Sequence, residues 1–479
     1  MLGEHRFHFF LWLAGAALSL SLMGGAEYIP FLKEYPGTFF WLFLILTIVL
    51  LLLGVGPALQ DEAHTLRPGH KRRMVSLLGM VICGLGFVVF AAAYFRPSGP
   101  QTDSPSAVAK LAELGWTVKP VLDGIQFEVA NRALPPMEES AVYFAQLSKP
   151  FQLFFQNVPG LEGLHLLARM ARCTKIEIDA GEFTDISELR GFDHLDSLTI
   201  SQVPLSGAGT VDASALASLT NLRQLGLGAK VRNVGFLAAL THLKSLGIGS
   251  TLVSDISPVS ELADLETLDI RGSRVTDLRP LSHNDNLSEL RIGAAQIPGL
   301  DTLAHLKSLK KLSIIIEQLN FNLDAVGALT GLDSLSIWAA GGGELDVAPL
   351  RSLANLRSLS LTGGVFPYLF SRMTNIETIG GLTELRTLAI SWFQVNNLAF
   401  VAKLVNLEEL NISQMPISSI EPVHDLKLLR KVSLNLAAVI DISPLLGLPA
   451  LTDLAVGRTP ARSDLLAQLE QRGVKVTSY

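Results

Sequence analysis

Five charged residues recur at matching places in three consecutive copies of one short pattern: Asp269 and Arg271, Glu289 and Arg291, then Lys311. If those copies lie side by side about 4.8 Å apart, as strands of a sheet do, the five form a mixed-charge ladder. Such a ladder either satisfies its own charges on a solvated face, each pair contributing well under about 1 kcal/mol, or it docks a partner. Aromatic residues supply the second candidate. Trp338 and Trp392 each follow a copy of the pattern, and between them an enlarged stretch carries Phe366, Tyr368, Phe370 and Arg372. Exposed Trp, Tyr and Arg dominate binding hot spots, so Trp338, Tyr368, Arg372 and Trp392 are candidate partner-binding residues. The competing reading for the three aromatics is that they fill a widened core, which is the better reading for Phe366, Phe370 and Phe393.

Other chemistry finds little footing. The chain has no Gly-x-x-x-x-Gly-Lys-Ser/Thr loop, no His-Glu-x-x-His and no Gly-x-Ser-x-Gly elbow. Gly-Leu-Asp-Ser-Leu at 331–335 has the outline of a hydrolase motif, but Ser245 and Ser358 hold the same place in other copies as Ser334. The two cysteines, Cys83 and Cys173, are too few for a disulfide framework or a cysteine zinc site. Net charge is −6, and beyond Pro97 the chain is mildly acidic with no dense run of Lys or Arg, which argues against nucleic acid as a partner. No catalytic residue, metal or cofactor is expected. An enzyme confined to residues 107–158 would lack an acid/base pair.

The pattern that positions the candidates is Leu-x-x-Leu-x-(Leu/Ile), mostly every 22 residues from about residue 170. It reads LETLDI at 265–270, LSELRI at 287–292, LKKLSI at 309–314 and LDSLSI at 332–337, with LRSLSL at 356–361 and LRTLAI at 385–390 further on. Alternation within the hexad is that of a short strand with one buried face. A period in the low twenties is too short for a helix pair and leaves room for one strand and a tight return, as in a leucine-rich-repeat solenoid. The expected class is therefore an α/β repeat with one parallel strand per copy. The third and fifth hexad residues, and the residue after the hexad, should face outward.

The return segments read Val-Ser-Asp-Ile-Ser-Pro-Val at 253–259 and Val-Ile-Asp-Ile-Ser-Pro-Leu at 439–445. Their apolar residues point inward, and Asp or Ser can close local turns. This unit resembles the internalin-type bacterial leucine-rich repeats over about two-thirds of the chain. The resemblance implies an asparagine ladder three residues after the last strand hydrophobe. Here that place holds Thr251, Ser273, Ala295, Ala340, Phe393, Met415 and Ala437, so other groups must satisfy those amides.

Solenoid ends need covers. At the N-terminal side a helix over 107–114, a hairpin over 116–121 and 125–129, a helix near 138–147 and a strand at 151–156 make a mixed α/β cap spanning 107–170. Repeats fill 171–460, and a helix at 463–471 with a strand at 474–477 forms the second cap, 461–479.

Ahead of these lie three uncharged apolar stretches, about 7–24, 38–59 and 74–95. Each is long enough to cross a hydrocarbon core of about 30 Å, giving an anchor over 1–96 and a turn-rich tether over 97–106. The first stretch also fits a signal peptide ending near Gly24-Gly25-Ala26. Arg67, Lys71, Arg72 and Arg73 crowd the second loop while the first has Lys33 alone. Basic loops stay cytoplasmic, so the N-terminus is expected inside and the repeats outside the cytoplasm. These features predict a multi-pass cell-membrane protein whose concave strand face binds a protein or an envelope polymer. A bracing role in a membrane complex, acting through the three helices, is the alternative.

Overall fold

The computed structural model describes residues 105–122, 124–181, 185–201, 210–228, 230–294, 300–317, 322–341, 343–364 and 372–478. The three apolar stretches and Tyr368 lie outside these, as does most of the tether. Among the described residues no helix is long and apolar enough to cross a membrane.

Seventeen strands of the described residues join in one sheet, each pairing with the next along the chain. Every pairing is parallel except that of the first two. Register keeps equivalent leucines in line: Leu268, Leu290, Leu312, Leu335, Leu359 and Leu388 are successive partners. That alignment follows from the repeat length. A slip of one residue would turn every hexad leucine to solvent.

The core is built column by column. In one copy Val253, Ile256, Val259, Leu262, Leu265, Leu268 and Ile270 are all buried, each stabilising by roughly 1.5–3 kcal/mol relative to exposure. The returns are 3₁₀ turns, such as Ser257–Glu261 and Ser443–Gly447. An Asx contact opens each of these: the Asp255 carboxylate accepts from the Ser257 N–H at 2.8 Å, and Asp441 does the same for Ser443 at 2.9 Å. Proline follows at the first turn, where its missing N–H leaves nothing unpaired.

The missing asparagines are replaced in two ways. Thr251 and Ser273 donate to the carbonyls of Ile248 and Ile270, both at 2.7 Å, and accept weakly from Val253 and Val275. Elsewhere backbone pairs with backbone in the next copy, as Gln414 N–H to Asn435 and Leu436 N–H to Gly457. In several copies the chain leaves the strand through a left-handed residue. Ser250, Gly272, Trp392, Gln414, Leu436 and Arg458 all have φ between 55° and 68°. Phe393, Met415 and Ala437 then fill the vacated ladder place with apolar volume.

At the N-terminal end, α1 (Pro105–Leu114) starts two residues earlier than the apolar pattern suggests, with proline at its first position. The hairpin forms as β1 (Thr117–Val121) and β2 (Gly124–Ala130), followed by α2 (Met137–Phe144) and β3 (Phe151–Val158). Unexpectedly, β2 and β3 run parallel to the repeat strands and belong to the same sheet, so residue 170 is no boundary in it. Here aromatics replace leucines: Phe144 packs edge-on against Phe127 (4.8 Å between centroids) and Trp116 (5.1 Å), and stacks on Phe151 (4.9 Å). The helix Ser463–Gln471 and strand Lys475–Thr477 close the other end.

Candidate functional site

The parallel register brings all five ladder residues together. Asp269 faces Arg291 across one strand boundary, and Glu289 faces Lys311 across the next. Arg271 grips Asp269 with two nitrogens, Nε to Oδ1 at 3.0 Å and Nη2 to Oδ2 at 2.6 Å. Arg291 pairs with Glu289 and lies 3.8 Å from Asp269, while Lys311 Nζ stands 3.9 Å from Glu289. Three cations thus share two carboxylates. The geometry is one of mutual satisfaction with one cation in excess, and Lys311 is the most exposed member at 65%.

Burial works to raise the Asp269 carboxyl, but hydrogen bonds from Arg271 and the nearby positive charges of Arg271 and Arg291 outweigh it and hold it below the usual carboxylate value. Arg271 is raised in turn, mainly by its hydrogen bonds to Asp269. The Asp269–Arg271 pair therefore keeps both charges through the neutral range.

Trp338 stands in the strand Ser334–Ala339, outward and 40% exposed, with Ile315 and Thr362 as its strand neighbours. Trp392 is half-buried in the left-handed turn after the strand Thr387–Ser391, two strands along. Arg372 is elsewhere. It begins the short strand Arg372–Thr374, which pairs with Glu344–Asp346 in a separate two-stranded parallel sheet. The reason is local: Met373 is buried opposite Leu345, so these residues serve as a return segment beside the equivalent one. Arg372 therefore does not share the seventeen-stranded sheet with Trp338.

Two features of the face escape a reading that looks only at three hexads. Glu409, Lys431, Asp453 and Lys475 are successive register partners and alternate in sign. Lys431 Nζ lies 2.7 Å from Glu409, whose hydrogen bond and charge raise the lysine. The signal was present at the third hexad position. Beside this second ladder runs a polar chain: Ser413 donates to Asn411 (2.6 Å) and meets Ser433 (3.1 Å), and the Asn435 amide donates to Ser433 (3.1 Å).

The serine of the hydrolase-like outline, Ser334, is an outward strand residue beside Lys311 and Ser358. In the cap, the buried Ser140 hydroxyl accepts from Trp116 Nε1 at 3.0 Å and donates to the Pro136 carbonyl at 2.7 Å. Cys173 is buried and free, its thiol pushed up by burial. Among the described residues no group of three or more His, Cys, Asp or Glu could hold a metal ion. Among the described residues two open concavities lie where strands begin, one lined by His283, Asp285 and His305, the other by His194, Arg223 and His242.

No protein-family model and no curated protein sequence matches the chain. Among solved structures, an internalin of Listeria monocytogenes superposes with a TM-score of 0.52 at 23% identity, covering 74% of this chain and 94% of that one. A leucine-rich-repeat protein of Leptospira interrogans superposes with a TM-score of 0.53 at 16% identity, covering 73% and 89%. Parallel strand, 3₁₀ return and period together with these likenesses establish a leucine-rich-repeat fold.

Proposed function

We propose that this protein is a membrane-tethered binding scaffold that docks a protein partner on its concave strand face, outside the cytoplasm. The observation that carries this reading is the ladder from Arg271 to Lys311. A rigid sheet presents it at fixed register, and it holds one cation in excess in a domain that is otherwise acidic. Charge patterns of this kind govern encounter and partner choice more than raw affinity. The tether rests on the three apolar stretches at 7–24, 38–59 and 74–95, and the orientation on the basic loop at 60–73.

Two measurements test it. Protease added to intact cells should cut the repeats while a reporter at residue 70 stays protected; the reverse pattern contradicts the orientation. Partners cross-linked to the full chain in its own membrane should be lost when Arg291→Glu and Lys311→Glu are combined, and their yield should fall with added salt. Unchanged yield in that variant contradicts the docking role of the ladder.

A further inference from the structure

The last four strands of the large sheet carry a charge ladder of their own, and we propose that two copies of this chain dock on each other there. Glu409, Lys431, Asp453 and Lys475 are successive register partners. Their charges therefore run −, +, −, + at intervals of about 4.8 Å. The next residues, Leu410, Val432 and Leu454 in the first three strands, are buried, so the ladder faces outward. Only its first half is spent within the chain. Lys431 Nζ lies 2.7 Å from Glu409, and both side chains stay exposed. Among the described residues no ion pair engages Asp453 or Lys475. Beside the ladder, Asn411, Ser433, Ala455 and Thr477 are short and uncharged, which leaves room for a second face to approach. Exposed apolar side chains flank the patch on both edges, Val405 and Leu428 in the turns before two of the strands and Leu436 in the turn after one.

An alternating ladder of this length is its own complement. A two-fold axis parallel to the strands, between Lys431 and Asp453, reverses strand order and keeps strand direction. It sets Glu409 against Lys475 of the second copy and Lys431 against its Asp453, so every contact joins opposite charges. At the roughly 10 Å spacing of packed sheets, a lysine of one copy reaches a carboxylate of the other. The order of signs decides this. A ladder of −, +, +, − turned the same way would set like charges together, which costs free energy. Spacing selects against an extended peptide laid across the strands, because its same-face side chains repeat at about 6.6–6.8 Å and drift out of step with a ladder of about 4.8 Å. A second copy matches in both sign and spacing, and Val405, Leu428 and Leu436 add apolar surface for docking to remove from water. This patch shares no residue with the ladder from Arg271 to Lys311, so either docking role can fail alone.

The test is self-association of the full chain in detergent, followed by analytical ultracentrifugation over a range of concentrations. A monomer–dimer equilibrium that loosens with added salt is expected. Lys431→Glu and Asp453→Lys each set like charges across the axis, and each should weaken the dimer about tenfold or more. An equimolar mixture of these two variants restores every opposite pairing, so it should dimerise within about threefold of the unsubstituted chain. The double variant, Lys431→Glu with Asp453→Lys, has the order −, −, +, +, which again complements itself. It should also dimerise, although it loses the Glu409 pair within the chain. Recovery in these two arms is a result that misfolded single variants do not give. The proposal is overturned if the chain stays monomeric up to about 100 μM, or if either single variant dimerises as tightly as the unsubstituted chain. It is equally overturned if the mixture or the double variant stays as weak as the single variants, or if the patch captures a different protein and no second copy.

Discussion

Replacing Asn284 by leucine should make the solenoid more stable. Asn284 is buried at 1% exposure in a column where the other copies carry leucine, among them Leu240, Leu262, Leu306 and Leu353. Its amide donates to the carbonyls of Val259 (3.1 Å) and Leu262 (2.9 Å), while its Oδ1 meets no donor. Both carbonyls already accept backbone N–H groups, from Leu262 at 3.0 Å and Leu265 at 3.1 Å, so losing the asparagine orphans neither. The substitution gives up two neutral hydrogen bonds, about 1 kcal/mol each. It removes a buried unsatisfied acceptor, a relief of about 1–3 kcal/mol, and adds an apolar side chain that gains about 1.5–3 kcal/mol by burial. The balance is a stabilisation of about 0.5–4 kcal/mol. Because repeat arrays unfold in coupled segments, urea melts of Asn284→Leu should be paired with hydrogen exchange of the amides in 259–290. Slower exchange confined to those copies is expected. Exchange faster than in the unsubstituted chain would refute the reasoning, because it would mean that Oδ1 has a partner worth more than the leucine contacts.

Three further outcomes follow from the same geometry. Thr251→Val should destabilise by about 1–2 kcal/mol, since the Val253 N–H loses its hydroxyl partner, and urea melts of Thr251→Asn should recover most of the loss. The Asp269 carboxyl lies below its ordinary value in the folded chain. Its contribution is therefore present above the unfolded value of about 3.9 and lost as pH falls through the lower folded value; melting temperature against pH should show a smaller acid drop in Asp269→Asn. Phe144→Ala should cost about 3–5 kcal/mol by emptying the ring cluster with Trp116, Phe127 and Phe151, read as early loss of the near-ultraviolet signal.

Much of the fold was legible because hexad spacing and strand register express the same constraint. The copies at 265–270, 287–292 and 309–314 coincide with strands whose middle leucines pair directly, which is why the ladder of Asp269 to Lys311 could be placed before any coordinates. Strands β2 and β3 were harder. Gly124–Ala130 and Phe151–Val158 keep the alternation but use Phe where the pattern asks for Leu, so their place in the same sheet is set by packing and not by a motif. Arg372 was harder to place, because spacing alone does not reveal that its neighbour Met373 is buried opposite Leu345. Replacement of the asparagine ladder by left-handed turns and cross-copy backbone bonds depends on φ values at Ser250, Gln414 and Leu436, residue types that carry no signal for that conformation.

The claim that this chain works through its concave face is tested most directly by site-specific photo-cross-linking in living cells. A photoreactive phenylalanine at Ser313, outward on the strand Lys311–Ile316, should yield discrete adducts. The same group at Arg351, exposed on the 3₁₀ return Ala348–Ser352, should yield none. Adducts at Arg351 with none at Ser313 would contradict the account.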